Sequence, residues 1–247
     1  MGLHLIGIGL HDEKDITLKG LETIKSADYV YLEIYTSLID SSLEKLEELY
    51  GKEIIIANRE MVESENNEIL ERSKDKEVVL LVKGDIFSAT THMDLVLRAQ
   101  KEKIKVYYIF NASILTVVGA IGLELYKFGK VTSIPFGNEK VKGPIDIFKK
   151  NYDNEMHTLF LLDLDPVENK FMNINEAADY LIYSGVAKET LAIGCSHLGA
   201  RGAEIKTRTL EELRTEKFDK YPQSLIIPSK NLHFIEEESI GRFGKTL

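Results

Sequence analysis

Val78-Val79-Leu80-Leu81-Val82-Lys83-Gly84-Asp85-Ile86-Phe87-Ser88-Ala89-Thr90-Thr91-His92 runs an apolar segment straight into a small, polar one. The apolar run reads as a β-strand. Gly84 lets the backbone turn sharply and approach a ligand closely. Asp85 stands at the strand's exit, placed to accept hydrogen bonds from a ligand. Ser88, Thr90 and Thr91 supply hydroxyls that can also cap the helix predicted over Met93 to Lys103.

The same arrangement occurs twice more. Gly7-Ile8-Gly9-Leu10 closes an apolar strand over Leu3–Ile8, and Asn111-Ala112-Ser113-Ile114 follows a strand over Val106–Ile109. Tyr29–Ile34 and Glu53–Ile56 are further strands. Ile16, Leu21 and Ile24, then Leu43, Leu46 and Leu49, recur at helical spacing between them, with Asp15 or Thr17 as the first cap. Strand and helix alternate, which predicts an α/β fold with a mostly parallel sheet. Ligands bind such sheets at the carboxyl ends of the strands. If the strands ending at Gly9, Gly84 and Asn111 are neighbours, their exits converge on one site.

Several familiar sites are excluded. The third glycine of a dinucleotide-binding G-x-G-x-x-G falls on Asp12, and Glu13 and Asp15 follow. A pyrophosphate at a helix N-terminus wants free amides and no carboxylates. There is no phosphate-binding P-loop and no G-x-S-x-G elbow. No two of His4, His11, His92, His157, His197 and His233 lie within four residues, so local zinc spacings are absent and no metal is expected.

Beyond residue 111 the rhythm changes. Ser113 to Phe128 reads as one helix. Strands are expected at Val131–Ile134, Leu159–Leu162, Leu191–Gly194 and Leu225–Ile227, with helices over Ile145–Asn154 and Ile174–Ile182. The organisation is two α/β domains, 1–111 and 112–247. Glu236–Glu238 reads as a solvated face, and Cys195, the one cysteine, as a buried small apolar residue. A net charge of −9 over 247 residues argues against a nucleic acid partner. Ala112 to Leu123 is too short to span a membrane, and the N-terminus lacks a basic leader. The expectation is a soluble cytoplasmic protein.

Leu5-Ile6-Gly7-Ile8-Gly9-Leu10, Asp15-Ile16-Thr17-Leu18-Lys19-Gly20-Leu21, Glu33-Ile34-Tyr35-Thr36-Ser37 and Gly84 to His92 together resemble blocks of the diphthine synthases. So do Ala112-Ser113-Ile114, Tyr126-Lys127-Phe128-Gly129 and His157-Thr158-Leu159. The Gly-Asp turn by itself marks only the broader tetrapyrrole methylase-like class. The resemblance covers nearly the whole chain and is densest before residue 135. It implies two α/β domains of the tetrapyrrole methylase-like type, a ligand cleft between them, and a homodimer. It also implies an activity: repeated methylation of the amino group on a 3-amino-3-carboxypropyl-histidine of translation elongation factor 2, in diphthamide biosynthesis. S-adenosylmethionine would be the donor and S-adenosylhomocysteine the product.

The family's donor-binding positions fall on Leu10, Asp85, Ser88, Ser113 and Ile114, and in the second domain on Leu162, Leu198 and Gln223. The sequence departs from the family pattern at Ile86 and Ala112, which stand where prolines are usual, and at Gln223, where histidine is common. No catalytic base is assigned. His92 is the tempting one, since an unperturbed imidazole titrates near neutrality, against a structural role at the start of a helix. Two other readings fit the same fold: a methylase of a small tetrapyrrole-like substrate, and a donor-binding sensor that transfers nothing.

Overall fold

The computed structural model describes residues 1–65, 67–88 and 92–244, so Thr90 and Thr91 of the polar turn lie outside the described residues. The chain divides into two units. One is Met1–Leu115 with Pro166–Glu168, the other Thr116–Asp165 with Asn169–Leu247.

The first unit holds β1 (Gly2–Gly7), α1 (Leu18–Ser26), β2 (Tyr29–Glu33), α2 (Leu43–Tyr50) and β3 (Ile55–Ala57). It continues with α3 (Arg59–Glu63), α4 (Glu68–Ser73), β4 (Glu77–Val82), α5 (Met93–Lys101) and β5 (Val106–Ile109). The five strands form one parallel sheet in the order β3-β2-β4-β1-β5. β4 is central, and its alternate side chains enter two cores. Val78, Leu80 and Val82 pack with Leu95 and Val96 of α5 and with Ile69 and Leu70 of α4. Val79 and Leu81 pack with Ile24 of α1 and with Leu46 and Tyr50 of α2. A strand covered on both faces needs an unbroken apolar run, which is what residues 78–82 supply. Of the two expected caps, Thr17 is used: its hydroxyl accepts from the Gly20 amide at 3.0 Å.

A short α6 (Ile114–Val117) leads into the second unit. There follow β6 (Thr132–Ile134), α7 (Gly143–Asp153), β7 (Thr158–Leu162), a small hairpin of β8 (Leu164–Asp165) and β9 (Lys170–Phe171), and α8 (Ile174–Tyr183). β10 (Leu191–Ser196), β11 (Glu204–Thr209), α9 (Leu210–Leu213), β12 (Gln223–Ile227) and α10 (Phe234–Gly241) complete it. The sheet order is β11-β10-β12-β7-β6, and only β6 and β7 run parallel. No helix among the described residues is long and apolar enough to cross a membrane.

Two sequence readings are corrected here. The single helix expected over Ser113–Phe128 is broken into α6 and two 3₁₀ turns, Val118–Ile121 and Leu125–Lys127. Gly122 breaks it at φ +98°, and a Cβ there would stand 2.2 Å from the Ser239 Cβ, so α10 packs directly on its backbone. The acidic triplet is a solvated face only at Glu237 and Glu238, which are exposed, because Glu236 is 1% exposed. Its carboxylate accepts from the Glu124 amide at 3.0 Å, the His233 amide at 2.9 Å and His157 Nε2 at 2.9 Å, and pairs with the Lys127 ammonium. The Ser229 amide donates to His157 Nδ1 at 2.9 Å, which leaves the proton of a neutral ring on Nε2, facing Glu236.

Burial raises the Glu236 carboxyl, but the Glu124 amide, Lys127, the His233 amide and His157 outweigh it and bring it down to about 2. Burial lowers the His157 imidazole, with Glu236 working the other way. Both groups therefore bind protons less readily folded than unfolded, and both lose stability as pH falls. For His157 the loss begins below its ordinary 6.5. For Glu236 it runs from the ordinary 4.5 down to about 2. Glu236→Ala should lower the unfolding free energy by roughly 3–5 kcal/mol, as when one partner of a buried pair is removed. Glu236→Gln should flatten the more acidic part of the stability profile. Urea denaturation across pH measures both, and a loss below about 1 kcal/mol, the range of an exposed pair, would sink the assignment.

Candidate functional site

β1 lies between β4 and β5, so the exits at Gly9, Gly84 and Asn111 meet at the carboxyl edge of one sheet. Gly9 and Gly84 pair directly: the Gly84 amide donates to the Gly9 carbonyl at 2.8 Å, and the Gly9 amide to the Gly84 carbonyl at 3.2 Å. Both have positive φ, +79° and +76°, where a side chain is strained. The Asn111 side chain completes the joint by donating to the carbonyls of Gly7 and Asp15, each at 2.9 Å.

The acidic run after Gly9 now has a structural role. Asp15 Oδ2 accepts the amides of Leu10 at 3.0 Å and His11 at 2.7 Å. The turn's own carboxylate thus occupies the amides that a dinucleotide-binding turn would present to phosphate.

Asp85 is mainly internal. It is 9% exposed, Oδ1 accepts from the Phe87 amide at 3.1 Å and the Ser88 hydroxyl at 3.2 Å, and Oδ2 accepts from the Asn111 amide at 3.2 Å. A carboxylate has about four acceptor sites, so little remains beyond these bonds. Asp85 therefore knits the second and third turns together and fixes Ser88. Ser113 is buried, and its hydroxyl accepts from the Leu115 amide at 3.2 Å. A Cβ on Gly84 would stand 3.7 Å from Leu10 Cδ2, 3.6 Å from the Ala112 carbonyl oxygen and 3.9 Å from Ser113 Cα. Leu10, Ala112 and Ser113 thus border the space in front of Gly84.

His92 is 1% exposed, with Nδ1 3.4 Å from the Ile86 carbonyl and Nε2 3.1 Å from Glu33 Oε2, out of line for a hydrogen bond. The fully buried Glu33 also takes the Thr36 amide and hydroxyl. This geometry favours the structural role for His92.

In the second unit Leu162 ends β7, Gln223 begins the adjacent β12, and Leu198 follows β10. Gln223 is spoken for: Oε1 accepts from the Ile174 amide at 2.9 Å, and Nε2 donates to the Lys220 carbonyl at 3.0 Å. The sequence reading missed the parts of Asn111 and Asp15. The clue for Asp15 was its spacing, five residues after Leu10, in an acidic run that opposes phosphate.

The sequence model of the tetrapyrrole (corrin/porphyrin) methylases matches residues 2–214. The chain belongs to the tetrapyrrole methylases. Within them it is similar to diphthine synthases. It is 40% identical over 269 residues to a diphthine methyl ester synthase of Homo sapiens, covering 98% of this chain and 94% of that one. It is 40% identical over 253 residues to a diphthine synthase of Methanosarcina mazei, covering 96% and 94%. A crystal structure of a diphthine synthase superposes with a TM-score of 0.92 at 38% identity, covering 98% of this chain and 95% of that one. This tetrapyrrole methylase is a methyltransferase of the diphthine synthase group, with the fold that the resemblance implied.

The glycines of the joint differ in a testable way. A Cβ on Gly9 would meet the Asp15 Cβ at 2.4 Å, whereas one on Gly84 meets only ordinary contacts. Gly84→Ala should cost roughly 1–2 kcal/mol for its left-handed backbone, and Gly9→Ala distinctly more. Equal denaturation midpoints for the two variants would contradict this account of the turn.

Proposed function

We propose that the chain uses S-adenosylmethionine to methylate the 3-amino-3-carboxypropyl-histidine of translation elongation factor 2, with the donor at the carboxyl edge of the first sheet. The observation that carries this is the meeting of three small-residue turns at that edge. The near full-length similarity to diphthine synthases supports it. Leu10 and Ser113 border the space in front of Gly84, and the resemblance adds Asp85, Ser88 and Ile114 as donor-binding positions. Leu162, Leu198 and Gln223 enter only through the resemblance. The homodimer belongs to the same reading.

The donor's sulfonium supplies an already activated methyl group. The chain's own work is therefore alignment and exclusion of water. Leu10 and Ile114 give apolar wall, Ser88 and Ser113 give hydroxyls, and Asp85 holds the turns in register. The acceptor amine must be neutral when it attacks; solvent can take its proton, so the reading assigns no catalytic base.

The test is mass spectrometry of elongation factor 2 carrying the unmethylated arm, after incubation with the chain and S-adenosylmethionine. Mass should rise in methyl steps, and Asp85→Ala should weaken donor binding by about tenfold or more through lost alignment. A step removed by mild alkali marks a methyl ester, as the human relative's name implies; resistant steps mark N-methylation. Donor binding without transfer to the factor would move the acceptor to a small molecule or make the chain a sensor.

A further inference from the structure

The apolar run of β4 ends in Lys83, whose side chain is 6% exposed. An ammonium taken out of water needs partners. Lys83 Nζ donates to the His11 carbonyl at 3.1 Å and stands 3.4 Å from Asp40 Oδ2. His11 follows the glycine turn of β1, and Asp40 lies in the loop after β2. Because β2, β4 and β1 are neighbours, one ammonium ties three adjacent strand exits together at the edge where the donor site is proposed. Gly84, the next residue, already exchanges two backbone hydrogen bonds with Gly9. Residues 83 and 84 therefore grip residues 9 to 11 from two sides.

The groups around Nζ are acidic. Asp12 and Asp15 come from the turn after β1, Asp40 from the loop after β2, and His11 lies 3.9 Å from Asp40 and 3.8 Å from Asp12. Burial pulls the Lys83 ammonium below lysine's ordinary range, against the pull of Asp40, Asp15 and Asp12.

We propose that Lys83 is a positioning residue for methyl transfer: its ammonium holds the His11 carbonyl, and so the Leu10 main chain, in the place from which Leu10 meets the donor. This rests on the donor site proposed above. A Lys83 that has lost its proton no longer balances Asp40 and grips the turn less firmly. Carboxylates and imidazoles do not titrate in the alkaline range, and burial pushes Tyr50 of α2, which faces the same acidic turn, up and away from it. The donor's own amino group titrates alike in every variant, so the part of an alkaline weakening that Lys83→Arg removes reports Lys83.

Calorimetric titration of the full chain with S-adenosylmethionine, from about pH 7 to about pH 10, tests this in wild type, Lys83→Met and Lys83→Arg. Wild type should weaken toward alkaline pH. Lys83→Met should bind about tenfold more weakly at neutral pH, the effect of losing a charged hydrogen bond, with a shallower alkaline trend than wild type. Lys83→Arg keeps its charge throughout and should bind nearly as wild type does at neutral pH, with a shallower alkaline trend. Equal affinity in Lys83→Met overturns the proposal, as does an alkaline weakening as steep in Lys83→Arg as in wild type. The arginine variant decides the matter if Lys83→Met does not fold. A wild-type chain that binds no S-adenosylmethionine overturns the donor reading itself, and this inference with it; normal binding with an indifferent Lys83 overturns this inference alone.

Discussion

Two reciprocal backbone hydrogen bonds between Gly9 and Gly84 hold the carboxyl edge of the first unit's sheet together. Each is worth only about 0.5–1.5 kcal/mol net, but they fix where two strands end. Everything else at that edge is arranged on this pair. Asn111 laces the third exit to it, Asp85 ties the second exit to the third, and Asp15 closes the turn from beneath. Glycine is required on both sides because each backbone sits at positive φ. The β4 ladder beneath, buried on both faces, gives the joint a stiff base.

The second unit is organised by charge. Its sheet is mostly antiparallel, and α10 is fastened by one buried carboxylate that takes bonds from His157, Lys127 and two amides. Two strings that carried the family resemblance, around Lys127 and His157, thereby acquire a structural meaning. They serve the docking of α10.

The first unit was legible in the sequence because its elements are local and periodic. The strand ends fell within about two residues of those observed, a usual margin for boundaries read from sequence. The convergence of three exits was legible only on the condition that their strands be neighbours, and the order β4-β1-β5 supplies that condition. What was hidden depends on distant partners. Glu236 looks solvated beside Glu237 and Glu238 until His157 and Lys127 are brought to it. The helix after Ser113 looks continuous until α10 claims the space over Gly122. β11, Glu204-Ile205-Lys206-Thr207-Arg208-Thr209, has no apolar run because it is an edge strand, where charges discourage further pairing. Asp85 and Gln223 were read as facing a ligand, yet the bonds they make are mostly to their own backbone.

The carboxylate of Asp15, seated on the amides of Leu10 and His11, bears on how an enzyme of this kind would choose among the adenosine compounds of a cell. Such compounds share a base and a sugar and differ in what hangs from the sugar's far end. A polyphosphate tail brought to this turn would find the amides taken and a like charge in their place, at close range and partly out of water. A tail joined through sulfur asks nothing of those amides and carries no such charge there. Selectivity of this sort would work by occupation: the turn is filled in advance by its own side chain, and a polyphosphate tail would be refused without any contact devoted to recognising it.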